Sequence, residues 1–223
     1  MADIHKHKTH NIRKIKKQYF GPETKIIIFI SGALLLLAAI FTFNAYSRAQ
    51  LPSSQQYAYE VAQPGPGQMA PNFTLPASNR TSFTLSAHRG QYVLLYFHEG
   101  IGCESCWTQM QDIDQNISQF QKLGIKTIVA ITTNSLQAIQ QKLQMENISM
   151  ITLADSQFTV SLQYNANKYT MMNGSTDGHT FILVDPSGKI IWRADYGGPP
   201  NYTMYVPVSN LIASIQAAEN GNK

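Results

Sequence analysis

The chain has 223 residues, a length that exceeds one domain of ordinary size and falls short of two. Its 17 Lys and Arg residues outnumber its 13 Asp and Glu residues only slightly, and the formal net charge is +4. Much of this excess lies near the N-terminus, so the composition gives no reason to expect a nucleic-acid partner for the remaining chain.

Residues 1–24 are predicted to be a basic cytoplasmic tail. Its basic side chains are those of Lys6, Lys8, Arg13, Lys14, Lys16 and Lys17. Such a run is compatible with a nucleic-acid tail, a solvated tail or a topogenic signal. The segment that follows favours the topogenic signal.

Residues 25–46 are predicted to form a transmembrane helix. Residues 26–43 are almost wholly apolar, and roughly 20 helical residues cross a bilayer core of about 30 Å. A cleaved signal sequence and a buried core helix are the alternatives, but signal sequences have shorter apolar regions. The basic flank before the span places the N-terminus in the cytoplasm and the rest of the chain in an extracytoplasmic compartment.

Residues 47–67 are rich in Gln, Ser, Pro and Gly and show neither helical nor strand periodicity. We expect a flexible linker over this range.

Residues 68–219 are predicted to form one α/β domain with a mixed sheet and helices on both faces. The predicted elements are strands over residues 81–85, 91–97, 125–132 and 150–153, helices over 103–123, 136–145 and 208–218, and a hairpin of 180–185 with 189–193. The strand over 150–153 is expected to be central. Its parallel neighbours require right-handed crossovers.

The chain contains two cysteines, Cys103 and Cys106, which follow a predicted buried strand and begin a helix. The unpaired N–H groups of a helix N-terminus favour a thiolate, so Cys103 is the expected nucleophile. Cys106, one turn further along, is placed to resolve a mixed disulfide. A structural disulfide or a metal-holding pair is the alternative, although a bridge across so short a loop would constrain the unfolded chain little.

Three further segments, taken with the cysteine pair, resemble the redoxin branch of the thioredoxin superfamily, which includes AhpC/TSA-type peroxiredoxins and membrane-tethered thiol–disulfide oxidoreductases. They are residues 69–75 (MAPNFTL), 86–97 (SAHRGQYVLLYF) and 180–185 with Gly188. The resemblance covers roughly residues 68–218. It implies a thioredoxin fold and an oxidoreductase whose redox-active disulfide is its only cofactor.

The sequence departs from this family at two places. Where thioredoxins have a cis-proline and peroxiredoxins commonly have an arginine, this chain has His179. Where peroxiredoxins have a threonine that binds peroxide, it has Gly100. Because Gly100 has no hydroxyl to bind a peroxide, we rank disulfide exchange above peroxide reduction.

Other candidate residues lie around the cysteines. The resemblance places His179 opposite them, and His98 would stabilise the thiolate as an imidazolium or shuttle a proton, unless it is a surface loop residue. We place Trp107, Glu99 and Thr180 in a substrate groove. Trp107 is equally compatible with the core, and Glu99 would raise the pKa of a nearby thiol.

The leading hypothesis is a membrane-anchored, extracytoplasmic thiol–disulfide oxidoreductase that acts on protein dithiols or disulfides with a thiol electron donor. A thiol peroxidase is one alternative. The other is a copper-handling thioredoxin-fold chaperone, in which Cys103, Cys106 and His179 hold Cu(I), with Met171 or Met172 as a further ligand.

Overall fold

A computed structural model describes residues 21–49, 53–172 and 174–221, in two compact units divided between Gln50 and Leu51. The predicted basic tail, except for its last four residues, lies outside these ranges. The first unit contains one helix, α1 (Pro22–Ala49). Its stretch Ile26–Ser47 has a mean hydropathy of 2.8 and is exposed on all sides. At about 1.5 Å per residue this stretch is long enough to cross a bilayer.

A five-stranded mixed sheet organises the second unit. Its strands are β3 (Tyr92–Phe97), β4 (Ile125–Thr132), β5 (Thr152–Ala154), β6 (Thr180–Val184) and β7 (Ile190–Asp195), after a small hairpin of β1 (Thr74–Pro76) and β2 (Ser82–Thr84). Their order is β5-β4-β3-β6-β7, with parallel pairing from β3 to β5 and antiparallel pairing from β3 to β7. The predicted mixed sheet is confirmed. The strand predicted as central over residues 150–153 is instead the edge strand β5, because periodicity carries no information about strand order.

Helices cover both faces of the sheet. The α-helices of this unit are α2 (Ser53–Gln56), α3 (Glu104–Gln115), α4 (Ile117–Lys122), α5 (Leu136–Glu146), α6 (Thr159–Gln163) and α7 (Val208–Gly221), and those from α3 to α7 contribute side chains to the apolar clusters beside the sheet. Alternate side chains of β3 enter two apolar clusters, with Leu94 and Tyr96 in one and Leu95 and Phe97 in the other. This explains the continuous apolar run of β3. The single helix predicted over residues 103–123 is wrong at Asn116, whose side-chain amide donates to the Asp112 carbonyl at 2.8 Å where the helix ends.

The segment from Tyr57 to Met69 lies along the outer side of β7. Glu60 pairs with Asp195 and Met69 with Lys189, while the Ile190 N–H donates to the Gln68 carbonyl at 2.8 Å. We call residues 57–69 the strap. The predicted flexible linker therefore does not extend through residue 67, and the packed unit begins before residue 68.

A buried ion pair fastens the strap to the domain. The Arg193 Nε donates to Asp195 at 2.8 Å, and both side chains have an exposed fraction of 0%. Asp195 also accepts from the Ala62 N–H at 2.7 Å and the Thr180 hydroxyl at 2.8 Å, while Arg193 Nη1 donates to the Pro64 carbonyl at 3.0 Å. These additional bonds compensate the loss of water around both charges.

Glycines make room for Tyr169 next to the start of β6. A Cβ atom at Gly178 or Gly197 would lie 2.0 or 2.1 Å from the Tyr169 carbonyl oxygen. A Cβ at Gly198 would lie 2.4 Å from the Tyr169 ring. Only residues without a side chain permit this approach, and it fixes the backbone on both sides of His179.

Candidate functional site

The loop between β3 and α3 leads to Cys103, the N-cap residue of α3, and turns at Gly100. Its φ of +89° is in a region that residues with a side chain rarely adopt. A Cβ atom at Gly100 would lie 1.8 Å from Asn134 Oδ1 and 2.5 Å from Thr132 Oγ1. Asn134 Oδ1 instead accepts from the Ile101 N–H and from the Thr132 hydroxyl, each at 3.0 Å. The loop therefore requires glycine where the resemblance led us to expect threonine.

Cys103 and Cys106 form a disulfide at the N-terminus of α3. Cys103 is the N-cap residue, and its Sγ accepts a hydrogen bond from the Cys106 N–H at 3.2 Å. Cys103 is 9% exposed, whereas Cys106 is fully buried. The predicted geometry is present, with a sulfur at the positive end of a helix and its partner one turn further along.

The two candidate histidines are buried close to each other. His98 Nδ1 accepts from the Gly100 N–H at 3.2 Å, and His179 Nδ1 lies 3.0 Å from the Tyr96 hydroxyl. Burial lowers the pKa of His98 to about 3. Burial, with a smaller repulsion from His98, lowers the pKa of His179 to about 3. Burial therefore favours the neutral form of both rings while the disulfide is closed. The alternative of His98 as a surface loop residue is wrong, because its side chain is fully buried.

The three residues predicted to line a groove have other contacts. Trp107 is fully buried in the core, and its Nε1 donates to the Gly100 carbonyl at 3.0 Å. Thr180 is buried against Asp195. Glu99 is half-buried and accepts hydrogen bonds from the Thr170 hydroxyl, at 2.9 Å, and from the Met171 N–H. The groove assignment is therefore wrong for Trp107 and Thr180, and Glu99 instead joins the cysteine loop to the loop before β6.

Sequence reasoning missed three residues near this site. Tyr96 was assigned only to a core strand, although its hydroxyl contacts His179. Asn134 shapes the cysteine loop from the end of β4. Asp177 is fully buried two residues before His179, and burial raises the pKa of its carboxyl well above the usual range. No local motif marks these residues, because their contacts are all made across the fold.

Other features of the second unit lie away from the disulfide. Cavities of about 470 and 510 Å³ occur beside Tyr59 and Ser214, and beside Arg80 and Gln140, respectively. Within the described ranges there is no group of three or more His, Cys, Asp or Glu side chains that could hold a metal ion. The copper interpretation therefore gains no support from side-chain placement.

Known proteins resemble the domain in sequence. Residues 66–193 match the model of the AhpC/TSA family. Peroxiredoxin Bcp of Escherichia coli is 26% identical over 127 residues, covering 56% of this chain and 81% of that protein. Peroxiredoxin 2 of Thermoplasma acidophilum is 30% identical over 137 residues, covering 58% of this chain and 66% of that protein.

Solved structures show the same fold. Peroxidoxin BcpB of Mycobacterium tuberculosis superposes with a TM-score of 0.57 at 18% identity, over 68% of this chain and 96% of that one. A candidate protein disulfide isomerase of Bacteroides thetaiotaomicron gives 0.53 at 20% identity, over 72% and 91%. The predicted thioredoxin fold is thereby confirmed. Since the family model covers more than half of the sequence, the chain belongs to the AhpC/TSA family of thiol-dependent oxidoreductases.

Proposed function

We propose that the protein is a membrane-anchored, extracytoplasmic thiol–disulfide oxidoreductase that uses Cys103 and Cys106 as its redox-active dithiol. The observation that carries the proposal is the disulfide at the start of α3, formed by Cys103, which is 9% exposed, and Cys106, which is fully buried. A cysteine at a helix N-terminus, where unpaired N–H groups favour the thiolate, is suited to attack a partner, and its buried neighbour one turn further along is suited to resolve the product.

The exchange reaction needs no further cofactor. In the reduced enzyme, the Cys103 thiolate attacks a partner disulfide, forms a mixed disulfide and expels one partner thiolate. The Cys106 thiolate then attacks Cys103, which closes the enzyme disulfide and releases the second partner thiolate. Run backward, the same steps oxidise a partner dithiol, and the reduction potential sets the direction.

The electrostatic surroundings favour Cys103 as the attacking thiolate. The Cys106 N–H already points to Cys103 Sγ, at 3.2 Å, and the positive end of the α3 dipole lies beside it. Glu104 is negative and adjacent, but its side chain is 77% exposed and forms an ion pair with Lys142 at 3.5 Å. Solvent and this lysine weaken its effect on the thiol.

The anchor belongs to the same proposal. α1 supplies a span over residues 25–46, and the basic residues that precede it favour a cytoplasmic N-terminus. The catalytic domain then lies in an oxidising compartment, where a dithiol enzyme meets partner disulfides. A membrane-impermeant protease added to intact cells tests this topology. It should digest the domain, and protection of the domain until the cells are lysed would contradict the proposed sidedness.

Trapping a partner tests the exchange reaction. The full chain with Cys106→Ser should accumulate a mixed disulfide through Cys103 when it is incubated with a disulfide-bonded protein, because the resolving thiol is missing. Cys103→Ser is the matched control and should trap nothing. Equal trapping by both variants, or by neither, contradicts the assigned roles.

Peroxide reduction is the second candidate, because the sequence relatives are named peroxiredoxins. In that reaction Cys103 attacks the peroxide, becomes a sulfenic acid and condenses with Cys106 to give the disulfide and water. Mass spectrometry of Cys106→Ser after stoichiometric hydrogen peroxide distinguishes the two. Fast, complete sulfenate formation at Cys103 together with absence of disulfide trapping would favour the peroxidase.

A further inference from the structure

The residues next to Cys103 carry one exposed charge. Cys103 itself is 9% exposed, whereas Gly102, Glu104 and Ser105 are exposed, as is Thr108 one turn further along α3. Of these residues only Glu104 is charged. Because consecutive Cα atoms are about 3.8 Å apart, a partner that bonds to Cys103 brings the residues beside its own cysteine close to this carboxylate.

Glu104 keeps its carboxylate in solvent although a lysine lies near it. Its side chain is 77% exposed, and its Oε2 lies 3.5 Å from Lys142 Nζ. The same ammonium lies 2.5 Å from Glu146 Oε1, one turn further along α5, and the Lys142 side chain is only 16% exposed. One ammonium shared by two carboxylates leaves one negative charge, and Glu104 is the more exposed of the two carboxylates.

Contacts with α3 and α5 hold Lys142 on one side of Glu104. Its ammonium lies 5.6 Å from the centre of the Trp107 ring, within the range of a cation–π contact. Its partner Glu146 also accepts a hydrogen bond from Gln111 Nε2 at 3.2 Å. The hydrogen bond to Glu146 is the main cause that raises the pKa of Lys142, so the lysine is charged at pH 7. Most of the Glu104 side chain nevertheless stays open to solvent.

The other ionisable groups near Cys103 in the chain leave Glu104 as the exposed charge. Glu99 is half-buried and accepts hydrogen bonds from the Thr170 hydroxyl at 2.9 Å and from the Met171 N–H at 2.5 Å, so its carboxylate is directed to a different loop. His98 is fully buried, and burial lowers its pKa to about 3.

We propose that Glu104 selects partner polypeptides in which Lys or Arg flanks the reactive cysteine. This inference rests on the proposed exchange function and adds the class of substrate to it. The Cys103 thiolate bonds to one partner sulfur, the partner disulfide breaks, and its other sulfur leaves with the electron pair as a thiolate. A cation beside the attacked cysteine is attracted by Glu104 during this step, whereas an acidic neighbour is repelled.

Two peptide disulfides that differ only in a Lys or a Glu beside the cysteine test the selectivity. Each oxidises the reduced full chain in an uncharged detergent, and the Lys/Glu ratio of the second-order rate constants is measured. Glu104→Gln should lower this ratio roughly fivefold or more, because attraction of one peptide and repulsion of the other are lost together. A changed reactivity of Cys103 affects both peptides alike and does not alter the ratio.

Further variants show whether the charge at this position is the cause. Glu104→Lys should lower the ratio below that of Glu104→Gln, and Lys142→Met should raise it, because it leaves Glu104 without its lysine. Glu219→Gln removes the same charge from α7 and is the matched control, so its ratio should equal that of wild type. Raising the salt from about 0.1 M to about 1 M should bring the wild-type ratio toward that of Glu104→Gln, because salt screens exposed charges.

The outcomes separate this inference from the exchange function. An unchanged ratio in Glu104→Gln, with normal trapping by Cys106→Ser, overturns the selectivity alone. Equal falls in Glu104→Gln and Glu219→Gln would show an effect of net charge and overturn it as well, and so would equal ratios in Glu104→Gln and Glu104→Lys. Oxidation by neither peptide, together with absence of trapping by Cys106→Ser, contradicts the exchange function on which the inference rests.

Discussion

At this site, burial determines the protonation or the packing of several individual side chains. In the sequence His98 looked like a cation or a proton shuttle beside a thiol and His179 like a residue facing the cysteines, whereas burial lowers the pKa of both to about 3. Trp107 looked equally suited to a groove and to the core, and the core is correct. The cysteine pair was predictable because its spacing and its place before a helix are local features. Burial depends on the whole fold, so the environment of the histidines was not predictable.

Gly100 provides the sharpest test at this scale. Gly100→Ala should destabilise the domain by about 1–3 kcal/mol, because it adds a side chain at a positive φ and the new Cβ would overlap Asn134. Gly102→Ala is the matched control, since a Cβ there meets nothing within 4 Å. Thermal unfolding of both variants gives the comparison. Similar melting temperatures for the two would contradict the loop geometry.

Asp177 should make stability depend on pH. Its folded-state pKa is raised, chiefly by burial, so the folded form holds a proton that the unfolded form loses above about pH 4. Its contribution is therefore complete below pH 4 and declines as the pH rises toward the raised pKa. Asp177→Asn should be more stable than wild type at pH 8, with the difference shrinking toward pH 4, as measured by chemical denaturation. A constant difference across this range would exclude titration of Asp177 as its cause.

At the scale of helices and strands, the sequence predicted which elements form better than it predicted how those elements are arranged in the fold. The apolar runs of β3 and β4, the hairpin of β6 and β7, and the start of α3 follow from local periodicity and turn residues. The edge position of β5 and the packing of the strap do not, because both depend on pairing between distant segments. The residues that make the strap look like a linker also suit an extended segment that lies on a sheet edge.

The buried ion pair under the strap is testable by removal of one partner. Asp195→Ala leaves Arg193 buried without its carboxylate and should cost about 3–5 kcal/mol. It should also release the strap, so limited proteolysis should cut between residues 57 and 69 sooner than in wild type. Asp114→Ala is the control, because Asp114 bonds Ser149 at the surface and should cost less than about 1 kcal/mol. Unchanged protease resistance of Asp195→Ala would show that other contacts hold the strap.

For the molecule as a whole, three buried titratable groups, His98, His179 and Asp177, change the stability of the fold with pH in opposite directions. As the pH falls below about 6.5 the unfolded chain binds protons at His98 and His179 that the folded chain does not bind, whereas Asp177, with its raised pKa, binds its proton more readily in the folded chain. Two histidines oppose one carboxyl, so these three groups together make the domain lose stability on acidification toward about pH 4.

Denaturation midpoints measured at intervals from pH 7.5 to pH 4.5 check this balance. The wild type should lose stability on acidification, whereas the double variant His98→Gln/His179→Gln should show a flatter or inverted profile. In that variant Asp177, whose pKa burial raises, still favours the folded state at lower pH. Parallel profiles for the two proteins would show that the histidines are not held neutral in the folded state.

Both edge strands of the sheet are covered in the part of the chain that the structure describes. The strap lies on β7, and Ser78 donates its N–H to the Thr152 carbonyl on β5 at 2.9 Å. Unfolded polypeptides that still await correct disulfides expose adhesive strands, and an open sheet edge would let them extend it. Under the proposed exchange function, a domain with both sheet edges covered reacts with a partner protein through its disulfide and offers that partner no strand to extend.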